Sequence, residues 1–211
     1  DVRKKEAKET LEILSPIAHH LGMNSLKTEL EDLSLKYYKP EIYYDIVTNL
    51  NNTKLERDNA ILEMKENISN ILIEHSIKHE IKGRSKSIYS IYNKLEKGKK
   101  FNEIYDILAL RVYVDTETDC YLTLGLIHSK YRPLSNRFKD YIAMPKENGY
   151  QSLHTTIFGV DGNLFEIQIR TYEMDKIAEY GIASHWAYKE KKDASIALKN
   201  TMEQKLQLFR S

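Results

Sequence analysis

The stretch LFEIQIRT, residues 164–171, alternates apolar and polar side chains. Successive side chains of a strand point to opposite faces, so Phe165, Ile167 and Ile169 face one way and Glu166, Gln168 and Arg170 the other. Just upstream, TTIFGV (155–160) is a second β-rich run. Asp161-Gly162-Asn163 between them is a hairpin signal, because Gly tolerates positive φ. DILALRVYV (106–114) is short, apolar and bounded by polar residues, which predicts a buried strand. HEIKGRSKS (79–87) reads as a short strand running into a loop. Helical spacing recurs around these strands, in SIYSIYNKLEKGKK (87–100), ETDCYLTLGLIHSKY (117–131), EMDKIAEYGIASHWAYKEKK (173–192) and Ala194 to Phe209.

Before His79 the pattern is helical throughout. EAKETLEILSPIAHHLGM (6–23) carries Leu11, Leu14, Ile17, Ala18 and Leu21 at helical spacing, with Pro16 as a kink or restart and Gly22 near its end. SLKTELEDLSLKYY (25–38) follows, and Pro40 opens a polar helical stretch to about His75. Helices first, then mixed strands and helices, predict an α+β fold: a mixed sheet flanked by helices behind an N-terminal helical arm. The expected divisions are 1–78 for the arm, 79–191 for the core and 192–211 for a closing helix.

Composition narrows the functions. With 32 basic and 31 acidic residues the net charge is +1, so an anion site must come from local clustering and nothing argues for nucleic acid binding. Cys120 is the only cysteine, which excludes an intrachain disulfide framework and a cysteine-built zinc site. No apolar run is long enough to span a membrane. The chain opens on Asp1 directly into a helical pattern and reads as a piece excised from a longer protein.

Three clusters could carry chemistry. Glu166, Gln168 and Arg170 are a solvated sheet face or the floor of a site; from the strand alone the solvated face is the default. The breaker-rich loop NRFKDYIAMPKENGYQSLHTT (136–156) gathers Arg137, Lys139, Lys146, Asn148, Tyr150 and His154. Its cations suit phosphate oxygens and its tyrosine offers a face for a base, although a charge run is as readily plain surface. GRSKS (83–87) supplies Arg84 and Lys86, with Ser90 a turn further on; a helix starting near Ser85 would aim free N–H groups at an anion. Its spacing is not that of a Walker A loop. Asp106, which begins the buried strand, is the natural second carboxylate beside Glu166. Two carboxylates with water and phosphate completing the shell is how Mg²⁺ is usually held at nucleotide sites. His19, His20 and His75 show no metal-ligand spacing.

Together these segments resemble the RelA/SpoT family of (p)ppGpp synthetases, from about Glu80 to Lys191, through GRSKSIYSIYNK, YDILALRV, RFKDYIAMPKENGYQSLHTT, FEIQIRT and MDKIAEYGIASHWAYK. The resemblance implies a nucleotidyltransferase-like synthetase core that moves the β,γ-pyrophosphate of ATP to the 3′-hydroxyl of GDP or GTP in the stringent response. It implies that Asp106 and Glu166 hold Mg²⁺, with Glu166 helping to deprotonate the hydroxyl. Arg84 and Arg111 match the pair that sandwiches adenine, and Lys86 and Ser90 match ATP phosphate contacts. Tyr150 matches the guanine-stacking residue, and Lys146, Asn148 and His154 match contacts to the guanine nucleotide. Arg137 and Lys139 fall in a basic signature of two-activity members, and Gln168 and Arg170 sit behind Glu166. Residues 1–78 resemble the helices that follow the hydrolase portion, whose own metal ligands lie outside this sequence, so no hydrolysis of ppGpp is expected. A cytoplasmic enzyme is implied, with ribosome contact left to the full-length protein. The spacer before Asp106 is one residue shorter than the family pattern and the hairpin before Glu166 one longer. Strict alternation also sets Asp106 and Arg111 on opposite faces unless Asp106 sits at the strand's start or a bulge intervenes. A nucleotide-binding module without activity and an adenylyl or nucleotidyl transferase are the rival readings.

Overall fold

A computed structural model describes every residue except 85, 106, 161, 191, 192 and 211, and describes the backbone alone at 105, 182–190 and 193–198. The arm is helical, as its spacing predicts. α1 (Val2–Glu9) continues through a π-helical turn, Thr10–Leu14, into α2 (Ser15–His20). The wide turn has a cause: Pro16 has no N–H to give, and the Ser15 N–H bonds one residue further back than usual, to the Thr10 carbonyl. Gly22 ends α2 at φ 73°. Asn24 opens α3 (Asn24–Tyr38). The stretch after Pro40 divides at Thr53 into α4 (Pro40–Asn52) and α5 (Lys54–Glu74).

The core follows as β1 (His79–Gly83), α6 (Ile88–Glu96), α7 (Phe101–Tyr105), β2 (Ile107–Val114) and α8 (Glu117–Lys130). Then come β3 (Lys139–Asp140), β4 (Leu153–Phe158), β5 (Leu164–Thr171), α9 (Tyr172–Glu190) and α10 (Asp193–Arg210). Strand order is β1-β2-β5-β4-β3. β2 and β5 are parallel and the other neighbours antiparallel, so the sheet is mixed. The near-continuous apolar run of β2 is what an interior parallel strand needs. Its register with β5 is unbroken from Ile107 to Val114, so no bulge interrupts it. How Asp106 meets the alternation lies outside the described residues.

One sheet face is dry. Leu108, Leu110 and Val112 of β2, Phe165, Ile167 and Ile169 of β5, and Leu153 and Ile157 of β4 pack against Met64, Ile68 and Leu72 of α5 and Cys120 and Ile127 of α8. Each such fully buried aliphatic chain contributes about 1.5–3 kcal/mol. α5 of the arm is therefore part of the core. A second cluster joins Ala18, Met23 and Leu30 of the arm to Met202 and Leu206 of α10. A third joins Ile46, Ile91 and Ile104 of α4, α6 and α7. The other sheet face is left to polar residues. Among the described residues no helix is long and apolar enough to cross a membrane.

Candidate active site

The polar face is built by register. Lys82, Arg111, Gln168 and His154 stand opposite one another across β1, β2, β5 and β4, and Lys139 of β3 continues the row. In the neighbouring row Arg84 donates its backbone N–H to Ala109, and Ala109 pairs with Glu166. The small Ala109 leaves the space in which the Arg84 guanidinium reaches the Glu166 carboxylate at 3.3 Å. This face floors a cavity of about 1120 Å³, walled on other sides by α6, by α3 of the arm and by α9. Arg84, Lys86, Ser90, Arg111, Lys146, Asn148, Tyr150, His154, Glu166, Gln168 and Arg170 all line it. Arg137 and Lys139 do not, and both are exposed. Asp106 lies outside the described residues.

At one end of the cavity Lys86 donates to the carbonyls of Ile104 and Ile107, on either side of position 106. Burial, with Lys94 close by, pulls its ammonium down to about 8. α6 begins at Ile88, one residue inside the helical run 87–100 and past the Ser85 start considered for an anion site, because Ser87 caps it by accepting from the Ser90 N–H at 3.1 Å. The Tyr89 N–H is taken by the Asp32 carboxylate of α3 at 2.8 Å, so the arm itself occupies part of the anion-binding helix terminus. Lys94, a turn beyond Ser90, also lines the cavity; burial lowers its pKa against the opposing pull of Glu166. The sequence carried a signal for it: with Ile88, Ile91 and Leu95 inward, Ser90, Lys94 and Lys97 form the opposite stripe of α6.

At the other end the loop after Pro145 turns on Gly149, at φ 81°. Its Asn148 donates from Nδ2 to the His19 carbonyl of the arm at 3.2 Å. Tyr150 is the hub. Arg170 Nη2 donates to its hydroxyl oxygen at 2.7 Å, and the hydroxyl meets His154 Nε2 at 2.7 Å. Burial first, and then the cations Arg170 and Lys146, push His154 down to about 3. His154 is therefore neutral, and its Nε2 shares a hydrogen bond with the tyrosine hydroxyl. Lys146 Nζ and the Arg170 guanidinium each lie 5.1 Å from the Tyr150 ring centroid, within cation–π range. Arg170 is almost wholly buried, at 1% exposure, and is held by Gln168 Oε1 at 2.6 Å and Asp175 Oδ1 at 3.3 Å. Glu166 supplies a hard-oxygen donor. Among the described residues no group of three or more His, Cys, Asp or Glu gathers, so a cation here would draw most ligands from water and phosphate.

A cation-lined cavity with a carboxylate in its floor and an aromatic ring at one end suits two phosphorylated, base-bearing molecules. A model described as the region found in RelA/SpoT proteins matches residues 83–193. The chain belongs to the RelA/SpoT family. A guanosine-3′,5′-bis(diphosphate) 3′-pyrophosphohydrolase of Spiroplasma citri is 51% identical over 207 residues, which are 97% of this chain and 28% of that protein. A GTP pyrophosphokinase of Streptomyces antibioticus is 48% identical over 189 residues, 89% of this chain and 22% of that protein. The chain thus spans about a quarter of the length of these relatives. Among solved structures, the small alarmone synthetase 2 of Bacillus subtilis aligns with 77% of this chain and 95% of its own, at 29% identity and a TM-score of 0.52. The fold described above is therefore that of RelA/SpoT synthetases.

Proposed function

We propose that this RelA/SpoT chain is a (p)ppGpp synthetase, transferring the β,γ-pyrophosphate of ATP to the 3′-hydroxyl of GDP or GTP. The observation that carries the reading is Glu166 in the floor of the cavity, with cations on α6 and β2 on one side and Tyr150, Lys146 and His154 on the other. The synthetase unit is residues 79–191, the arm 1–78 and the closing helix 192–211. The enzyme works in the cytoplasm, where its nucleotide substrates are.

The ribose 3′-oxygen attacks the β-phosphorus of ATP, the bond from that phosphorus to the bridging oxygen breaks, and AMP leaves with that oxygen. Glu166 receives the hydroxyl proton. Arg84 and Arg111 hold adenine, Lys86 and Ser90 hold the ATP phosphates, and Lys94 joins them from the same face of α6. Tyr150 stacks on guanine, with Lys146, Asn148 and His154 around the guanine nucleotide. Arg137 and Lys139 also contact the guanine nucleotide, from outside the cavity wall. Positioning and fixed charge dominate such transfers. The donor set fits Mg²⁺: Glu166 with Asp106 would hold it, and it would neutralise charge on the transferring group.

Supplying ATP labelled at the γ-phosphate, with GDP and Mg²⁺, tests the reading. Label on the guanine nucleotide supports it, label released as pyrophosphate means adenylyl transfer, and unchanged ATP means a binding module. Glu166→Gln should slow the reaction roughly a hundredfold or more without loss of fold. No hydrolysis of ppGpp is expected. His75 of the arm is bonded to the Ile71 carbonyl and His79 of β1 to Ser69, so both serve local structure. Release of pyrophosphate from ppGpp with Mn²⁺ present would overturn that part.

A further inference from the structure

Arg111 and Arg170 stand on the same face of adjacent strands, two residues apart in register: Arg111 opposite Gln168, and Tyr113 opposite Arg170. Two guanidinium groups so placed repel each other, and both have a buried Nε without a hydrogen-bond partner among the described residues. What holds them is α9. Asp175 Oδ1 lies 3.6 Å from Arg111 Nη1 and 3.3 Å from Arg170 Nη1, so one carboxylate oxygen serves both. Glu179, one helical turn on, lies 3.4 Å from Arg111. Asp175 can reach both arginines because α9 starts directly after β5. The Thr171 hydroxyl accepts the Met174 N–H at 3.1 Å and caps the helix at its first turn.

The contacts continue past Arg170 to the Tyr150 hydroxyl. They form one path: Arg111, Asp175, Arg170, Tyr150. Its first member belongs to the adenine side of the cavity and its last to the guanine loop. Asp175 is absent from the cavity wall, whereas Glu179 lines it. We infer that Asp175 is a positioning residue that ties the two nucleotide subsites together, while Glu179 positions Arg111 alone. This rests on the proposed roles of Arg111 and Tyr150. Without the Asp175 charge, Arg111 keeps Glu179, but Arg170 keeps no ion-pair partner among the described residues. Its grip on the Tyr150 hydroxyl then loosens. Adenine settling on Arg111 shifts the shared carboxylate and so shifts Tyr150, and linkage makes the effect reciprocal.

The test is calorimetric titration of GDP and of α,β-methylene-ATP, whose cleaved bridge is replaced by carbon, each alone and in the presence of the other. Wild type is compared with Asp175→Asn, Asp175→Glu, Glu179→Gln and Arg111→Ala, and melting temperatures are recorded throughout. Asp175→Asn should weaken both ligands about tenfold, the lower end of the scale on which partners behind a ligand-holding residue act. Glu179→Gln should weaken the ATP analogue alone, and Asp175→Glu should recover part of both affinities. In wild type each ligand should sharpen the other's binding, and Asp175→Asn should abolish that effect. An unchanged affinity for either ligand in Asp175→Asn overturns the inference. So does an equal loss of both in Glu179→Gln, since any damage to α9 would then suffice. If Arg111→Ala leaves the ATP analogue's affinity intact, the subsite assignment has failed and the inference with it. If Asp175→Asn does not fold, Asp175→Ser takes its place under the same criteria.

Discussion

Replacing Tyr150 by Phe keeps the ring and removes one oxygen, and the network around that oxygen sets the expected cost. The hydroxyl accepts a charged hydrogen bond from Arg170 Nη2 at 2.7 Å and shares a second one with the neutral His154 Nε2 at 2.7 Å. A hydrogen bond to a charged group contributes about 1.5–3 kcal/mol net, and a neutral one about 0.5–1.5 kcal/mol. Arg170 retains Gln168 and Asp175, so its loss belongs at the low end. Tyr150→Phe should therefore destabilise the fold by about 2–3 kcal/mol. Urea unfolding at pH 7.5 measures this, with an unchanged slope showing that stability alone has moved. GDP affinity should fall less in Tyr150→Phe than in Tyr150→Ala, which forfeits a base–aromatic stack of about 1–3 kcal/mol. A Phe variant as stable as wild type would refute the argument, because Arg170 would then be anchored without the tyrosine oxygen.

His154 makes stability depend on pH. Its pKa drops from 6.5 unfolded to about 3 folded, so the unfolded chain takes up a proton that the native state refuses. The contribution is complete above pH 6.5 and shrinks as pH falls, by about 1.4 kcal/mol at pH 5.5. His154→Asn should flatten that slope between pH 7.5 and 5.5, and identical slopes would count against a buried neutral imidazole. At Gly181, φ is 80° and an added Cβ would lie 2.3 Å from the Leu21 carbonyl oxygen. Gly181→Ala should cost about 3 kcal/mol or more, combining backbone strain with a clash against main chain. Gly98→Ala, at φ 84° with nothing within 4 Å, should cost about 1–2 kcal/mol. Similar melting temperatures for the two variants would mean the arm yields at Leu21.

The floor of the site was legible because strand alternation is local. Phe165, Ile167 and Ile169 went to the core, and Glu166, Gln168 and Arg170 to the cavity. The breaker-rich loop likewise announced Lys146, Asn148 and Tyr150. Contacts between distant segments were not legible. Asp32 caps α6 from 57 residues away, and α3 lines the cavity although its own sequence shows only an ordinary amphipathic helix. Nothing in the helical run 173–192 singled out Asp175 or Glu179, whose partners come together only when the parallel pairing of β2 with β5 sets Arg111 beside Arg170. The same pairing explains why Arg170, apparently a surface strand residue, is almost fully buried. Arg137 and Lys139 looked continuous with the cationic, breaker-rich loop. The Ser135–Arg137 turn and the short β3 leave both on the outer edge of the sheet.

The join between β5 and α9 has no slack. β5 ends at Thr171 and α9 begins at Tyr172. One residue inserted there would swing Asp175 by about 100° around the helix axis, away from both arginines. The hairpin between Phe158 and Leu164 holds no such cargo among its described residues and can lengthen or shorten while Glu166 keeps its partner Ala109. Insertion scanning should find the two ends of one strand opposite in temperament: a permissive site before Leu164, and an intolerant one eight residues later.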